Sequence, residues 1–239
     1  MMVSSKRTFS LLMGSPATGK GSRLEILVNF LKTKFEHRIV HNRLDNKIID
    51  FGVEFPDLGL IVIGTRLISH KNGSSGWSSL DYLNSTVRTI DGTQEMIRDY
   101  MLKNDTQHVI AEGEPLIISN KYRPTWMKDY FPIDSTFHMI FYYENKEQYH
   151  QRVIGRSGKP PPGDGAWRRN PQYRVYSEKV KSDGFVEGVD YVSGHLFDAE
   201  HSIFGEKWLQ YVGLVDLIDE FLEFSNHNNK TRANSQEIF

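Results

Sequence analysis

The stretch Gly14-Ser15-Pro16-Ala17-Thr18-Gly19-Lys20-Gly21-Ser22 constrains this chain more than any other feature. Glycines there let backbone amides turn inward around phosphate oxygens, and Lys20 supplies a cation for the outer phosphates of a nucleotide. The apolar run Phe9-Ser10-Leu11-Leu12-Met13 leads into the loop, and Leu24, Leu27, Val28 and Leu31 recur behind it at helical spacing. Strand, glycine loop and helix in that order aim the positive end of the helix at the phosphates. The expected binding residues are Gly14, Ser15, Ala17, Thr18, Gly19, Lys20, Gly21 and Ser22. Because Gly21 follows the lysine directly, the hydroxyl is displaced by one place, and Ser22 is assigned to phosphate or Mg²⁺.

Further along, Ile48 to Phe55 and Leu58 to Ile63 read as two strands joined around Pro56-Asp57, and Ser69 to Ser79 as a loop. A helical pattern carries Ile90, Met96, Ile97 and Met101. His108 to Ala111 and Phe137 to Tyr143 read as buried strands. Asn145 to Arg156 reads as a helix that stops at the Pro- and Gly-rich stretch 157–165, with a second short helix over Tyr173 to Lys181. Val212 to Phe224 is expected to be the last packed helix. The expectation is an α/β fold: a mainly parallel sheet with helices on both faces and an arginine-bearing lid at about residues 152–176. A length of 239 residues suits a single domain, placed at 1–224, with a polar tail over 225–239.

Composition narrows the function classes. With 29 basic and 30 acidic residues, no whole-protein field draws the chain to nucleic acid or an anionic membrane, so a nucleic-acid partner needs a local patch. Cysteine is absent, which removes disulfides and thiol nucleophiles. No run approaches the roughly 18 apolar residues of a membrane span. A cytoplasmic protein with no membrane partner is expected.

Hydrolases and kinases share such a loop, so the distinguishing residues lie elsewhere. Arg152 and Arg156 stand four apart on one face of the helix after strand 137–143, and Arg168, Arg169 and Arg174 follow the Pro-rich stretch. Arginines placed there can close over a transferring phosphoryl group. Glu112 ends strand 108–111, where an acidic residue can reach Mg²⁺ or orient a nucleophile. The alternative is that one of Glu112 and Glu114 caps the turn at Pro115. Asp81, in Gly76-Trp77-Ser78-Ser79-Leu80-Asp81, can take a proton from an acceptor hydroxyl or can cap a helix. The candidate catalytic set is Lys20, Asp81, Glu112, Arg152 and Arg156, with Arg152 also contacting the donor nucleotide and Ser22 and Glu112 as metal candidates.

Together these segments resemble the small P-loop kinases over most of residues 8–181. Within them the pattern is most similar to bacteriophage DNA kinases acting on 5-hydroxymethyluracil. Arg152, Arg156, Asp164, Arg174 and Tyr176 supply the lid outline of that family, and Lys159-Pro160-Pro161-Pro162-Gly163 departs from it. The resemblance implies a nucleoside triphosphate donor, ATP with Mg²⁺, and phosphoryl transfer to the base's hydroxymethyl group in phage DNA. On a DNA substrate, Lys71, Trp77, Lys121, Arg123, Trp126, Lys128, Trp167, Arg168 and Arg169 are candidates for phosphate contacts or base stacking. Two other readings stay open: a kinase of a free nucleotide, nucleoside or small hydroxyl metabolite, and a P-loop NTPase acting as a partner-binding switch. Asn145-Lys146 is followed by Glu147-Gln148, so a guanine-reading Asn-Lys-x-Asp is missing there.

Overall fold

The computed structural model describes residues 6–44, 47–64, 66–69, 75–113, 120–194 and 202–236. Strand β1 (Thr8–Gly14) is buried along its whole length. It leads through the glycine loop into helix α1 (Lys20–Lys34), whose Leu24, Leu27, Val28 and Leu31 are fully buried. Strands β2 (Arg38–Leu44) and β3 (Lys47–Phe55) pair antiparallel, and β3 turns through a 3-10 segment at Pro56–Leu58 into β4 (Leu60–Ile63). After β5 (Arg66–Ser69) and β6 (Ser75–Ser78) come α2 (Leu80–Val87), α3 (Ile90–Asn104) and β7 (His108–Gly113). The remainder is α4 (Pro124–Tyr130), β8 (Ser135–Phe141), α5 (Lys146–Ser157), α6 (Gly165–Ser182), β9 (Tyr191–Gly194), α7 (Ile203–Tyr211) and α8 (Ile218–Gln236).

Seven strands form one sheet in the order β2-β3-β4-β7-β1-β8-β9. The five from β4 to β9 run parallel, and the β2-β3 hairpin is added antiparallel at one edge. Alternation along β1 sends Phe9, Leu11 and Met13 to one face and Leu12 to the other, so each face builds its own apolar cluster. The Leu12 face is covered by α1, α7 and α8, and the Met13 face takes in residues of α2, α3, α4 and α6. This is the α/β architecture expected, with the glycine loop at the carboxyl end of the central strand, where ligands of such sheets bind.

Several expected elements differ. The stretch 69–79 is not all loop: β5 and β6 pair as a hairpin, Arg66 opposite Ser78 and Ser69 opposite Ser75. Residues 38–44 form a strand that a search for apolar alternation misses, because this edge strand is partly or fully exposed throughout. The helix expected at 173–181 begins at Gly165 and carries Pro171 in its interior. Residues 212–224 are not one helix. Val212 closes α7, Gly213 turns the chain at φ +82°, and α8 starts only at Ile218. Helix α8 then continues through Gln236, so the segment expected to be a tail is largely helical, and Ser225 within it is fully buried. No helix among the described residues is long and apolar enough to cross a membrane.

Candidate active site

The loop is shaped by three local constraints. Gly14 adopts φ +152°, and a Cβ there would lie 2.4 Å from the Phe141 carbonyl oxygen, so β1 and β8 approach too closely for any side chain. Ala17 and Gly19 are left-handed at φ +61° and +79°, and Gly19 stands immediately before α1. A Cβ on Gly19 would lie 2.6 Å from the Arg23 guanidinium. The resulting turn is held by its own polar groups. Thr18 Oγ1 donates to the Ser15 carbonyl at 2.9 Å, and Lys20 Nζ donates to the carbonyls of Gly14 (2.8 Å) and Ser15 (3.0 Å). Lys20 is buried, with its ammonium folded against the loop it is expected to serve. Gly21 and Ser22 form the first turn of α1.

Arg23, which sequence reasoning passed over, is a fourth contributor. It is buried at 2% exposure, donates from Nη1 to the Thr18 carbonyl at 3.0 Å and lies over the Phe141 ring. Burial, with the charge of Arg152 beside it, lowers the guanidinium pKa to about 10. Its position one turn behind the loop is the signal that marks it. Arg152 and Arg156 both lie on α5. Burial pushes the Tyr143 hydroxyl pKa up, and the charges of Arg152 and Arg156 oppose that rise. Tyr143 is tied to the loop by donating its hydroxyl to the Pro16 carbonyl at 2.8 Å. Lys20 and Arg23 lie at the glycine loop, the charge of Arg152 on α5 is felt by Arg23, and those of Arg152 and Arg156 are felt by Tyr143 beside it. Anionic phosphates would be attracted to these cations.

On the other side, β7 pairs Glu112 with Leu12 of β1. Strand alternation places Glu112 on the same face as Ile110, the face α1 covers, and it is buried at 6% exposure. The Glu112 backbone N–H donates to Ser79 Oγ at 3.1 Å, which docks the start of α2 against the end of β7. Asp81 stands in the first turn of α2, and the residue preceding the helix is Ser79, so Asp81 is not in the cap position. Its carboxylate lies near Tyr122. Burial raises that phenol's pKa, Asn84 beside it acts the other way, and the charges of Asp81 and Asp91 add to the rise. Asn84 shares a helix face with Asp81, three residues on.

Most of the other candidates fall outside this centre. Trp77 is buried and donates its indole N–H to the Ile63 carbonyl at 2.9 Å, so it belongs to the core and cannot stack on a base. Arg123 Nη2 donates to both Asp183 carboxylate oxygens, at 2.5 and 2.6 Å, and Lys121 pairs with Asp91. Trp126 stacks on Tyr130, and exposed Lys128 lies over the Phe185 ring. Trp167 packs beside Tyr149 in an apolar cluster that also takes in Tyr143 and Ala17 of the loop, so it alone of these lies against the centre, while Arg168, Arg169 and Arg174 lie along α6. Asp164 pairs with Lys146 at 2.8 Å, a bond that lowers its pKa. Tyr176 is buried and donates to the Tyr122 carbonyl at 2.7 Å. Lys71, Glu114 and Pro115 lie outside the described residues.

The loop turns left-handed at Ala17 and Gly19 immediately ahead of the N-terminus of α1, an arrangement that suits the phosphates of a nucleoside triphosphate. Mg²⁺ is usually held by one or two carboxylates together with substrate phosphates, and Glu112 and Ser22 have the oxygen chemistry that such an ion would take. No group of three or more His, Asp or Glu able to hold a metal by itself occurs among the described residues.

A family model described as 5-hmdU DNA kinase 2 matches residues 7–194. A curated protein of Salmonella phage ViI, also called 5-hmdU DNA kinase 2, is 34% identical over 188 residues, covering 77% of this chain and 61% of the relative. The chain thus spans about three fifths of the length of the curated relative it matches. No solved structure matches.

Proposed function

Because the chain belongs to the 5-hmdU DNA kinase 2 family, we propose that it transfers the γ-phosphoryl group of ATP to the hydroxymethyl oxygen of 5-hydroxymethyluracil in DNA. The observation that carries this reading is the convergence of Lys20, Arg23, Arg152 and Arg156 on a loop whose backbone is shaped for phosphate.

In this mechanism the loop amides and Lys20 hold the β- and γ-phosphates. Lys20 leaves its contacts with the Gly14 and Ser15 carbonyls to do so. Arg152 and Arg156 stabilise charge on the γ-phosphoryl oxygens as the bond to the departing ADP lengthens. Asp81 accepts the proton of the hydroxymethyl group while its oxygen bonds to the γ-phosphorus. Ser22 and Glu112 would hold Mg²⁺, directly or through water, and the ion when bound neutralises charge on the β- and γ-oxygens. The products are ADP and a phosphomethyl base, with the proton on Asp81 lost to solvent.

DNA engagement is assigned to the exposed Arg168 and Arg174 on α6. A net charge of −1 favours, as second reading, a free nucleoside or nucleotide acceptor. The test is to incubate the protein with ATP, Mg²⁺ and either DNA containing 5-hydroxymethyluracil or the free nucleoside and nucleotide, then digest and weigh the products. A phosphate mass added to the base in DNA supports the first reading. Addition only to the free acceptors supports the second, and phosphate release with no phosphorylated product supports a hydrolytic switch and overturns both.

A further inference from the structure

Asn170 of α6 is 4% exposed and spends its whole amide on the phosphate loop and the strand beside it. Its Oδ1 accepts the Ser15 hydroxyl at 2.8 Å and the Tyr143 backbone N–H at 2.7 Å. Its Nδ2 donates to the Tyr143 carbonyl at 2.7 Å. Only an amide meets all three demands, since a carboxylate would set a second oxygen against the Tyr143 carbonyl and a shorter chain would leave buried groups unpaired. Asn170 also marks a division within its own helix. The next residue, Pro171, has no N–H to give the Trp167 carbonyl, so the helix loses an internal bond there. Beyond it Tyr173, Tyr176 and Val180 are buried in the core, whereas residues 164–169 before it are all at least partly exposed and carry Arg168 and Arg169.

We propose that Asn170 is a positioning residue that couples the phosphate loop to the lid: by holding Ser15 it fixes the loop in the shape that accepts nucleotide and fixes where the lid half of α6 starts. The proposal rests on the reading of the loop as a nucleotide site. It separates from a purely structural role because Ser15→Ala cuts only the bond to the loop and leaves both Tyr143 bonds in place.

The test measures binding of a fluorescent ATP analogue, without acceptor, to the full chain and to Ser15→Ala, Asn170→Ala and the double variant, with melting temperatures recorded alongside. Each single variant is expected to raise Kd about 3- to 10-fold, the worth of one hydrogen bond, and the double variant no further than the weaker-binding single one. Ser15→Ala is expected to melt within about 4 °C of the parent. Effects that multiply in the double variant, or a Ser15→Ala protein that binds like the parent, overturn the proposal. Should Asn170→Ala not fold, Asn170→Ser takes its place in the single and double variants. A parent protein that binds no nucleotide overturns the loop reading and this proposal with it.

Discussion

Arg152 of α5 adds its charge to the burial that holds the Arg23 guanidinium near pKa 10, so a residue of the expected lid and a residue buried behind the loop share one electrostatic environment. The exposed charge of Arg152 and the buried charge of Arg23 oppose each other, and a bound anion would relieve that opposition. Arg152→Ala is therefore expected to leave the ligand-free melting temperature unchanged or higher, while shrinking the rise that saturating ATP produces. A ligand at 100 times its Kd adds about 2.7 kcal/mol to the parent's stability, and the variant should gain measurably less. Turnover should fall at least about 100-fold, in line with the worth of arginines on a transferring phosphoryl group. Thermal melts with and without nucleotide, beside an initial-rate assay, check both halves.

Lys20→Ala is expected to abolish transfer, with a loss on the order of 1,000-fold for a group aimed at transition-state charge, and to keep the far-ultraviolet circular dichroism of the parent. The ammonium's bonds to Gly14 and Ser15 are local to the loop, so the sheet does not depend on them. A variant with full activity contradicts the assignment.

Gly14→Ala should destabilise the fold as well as the site. The new Cβ meets a backbone oxygen at 2.4 Å, which cannot rotate away, and φ +152° is unfavourable for alanine. The expected loss is about 1–3 kcal/mol or more, read as a lower denaturation midpoint.

Asp81→Asn tests the acceptor side. As a proton acceptor Asp81 would support a drop in kcat of roughly 100- to 10,000-fold with ATP affinity unchanged. As a first-turn carboxylate that merely favours α2, it would contribute about 0.3–1 kcal/mol to stability, and kcat would hold. Steady-state kinetics together with a melt distinguish the two.

Two buried histidines predict an acid weakness. Burial lowers the pKa of His108 to about 4 and of His138 to about 3. The unfolded chain takes up protons near pH 6.5 that the folded chain refuses, so stability falls as pH drops from about 6.5 toward 4. Each histidine contributes a slope of up to about 1.4 kcal/mol per pH unit. Denaturant midpoints of the parent and of His138→Gln across that range check the sign, and the variant should lose about half of the histidine part of the slope.

What could be read from the sequence was whatever is local. Gly14, Gly19 and Lys20 lie within seven residues, and the strand before and helix after announce themselves by apolar spacing. Arg152 and Arg156 stood out for the same reason, as neighbours on one helix turn. The Ser15 to Asn170 bond spans 155 residues and joins two polar side chains that carry no periodic signal. Trp77 reads equally as a stacking surface or a core residue in the sequence, and its partner, the Ile63 carbonyl at the end of β4, is fixed only by the fold. Pro171 is unfavourable in a helix interior, yet the fold accepts it in α6, where Asn170 anchors the chain from the side.

The position of β1 between β7 and β8 has a bearing on how such a protein changes over time. One neighbour leads to Glu112, Ser79 and Asp81, and the other to Tyr143 and Asn170, so on the proposed reading the group that takes the acceptor's proton and the arginines that close on the donor stand on opposite flanks of a shared strand. On that reading a lineage can alter α2 to suit a new acceptor hydroxyl while α5 keeps its arginines. Inheritance of the machine and renewal of its target are thereby separable.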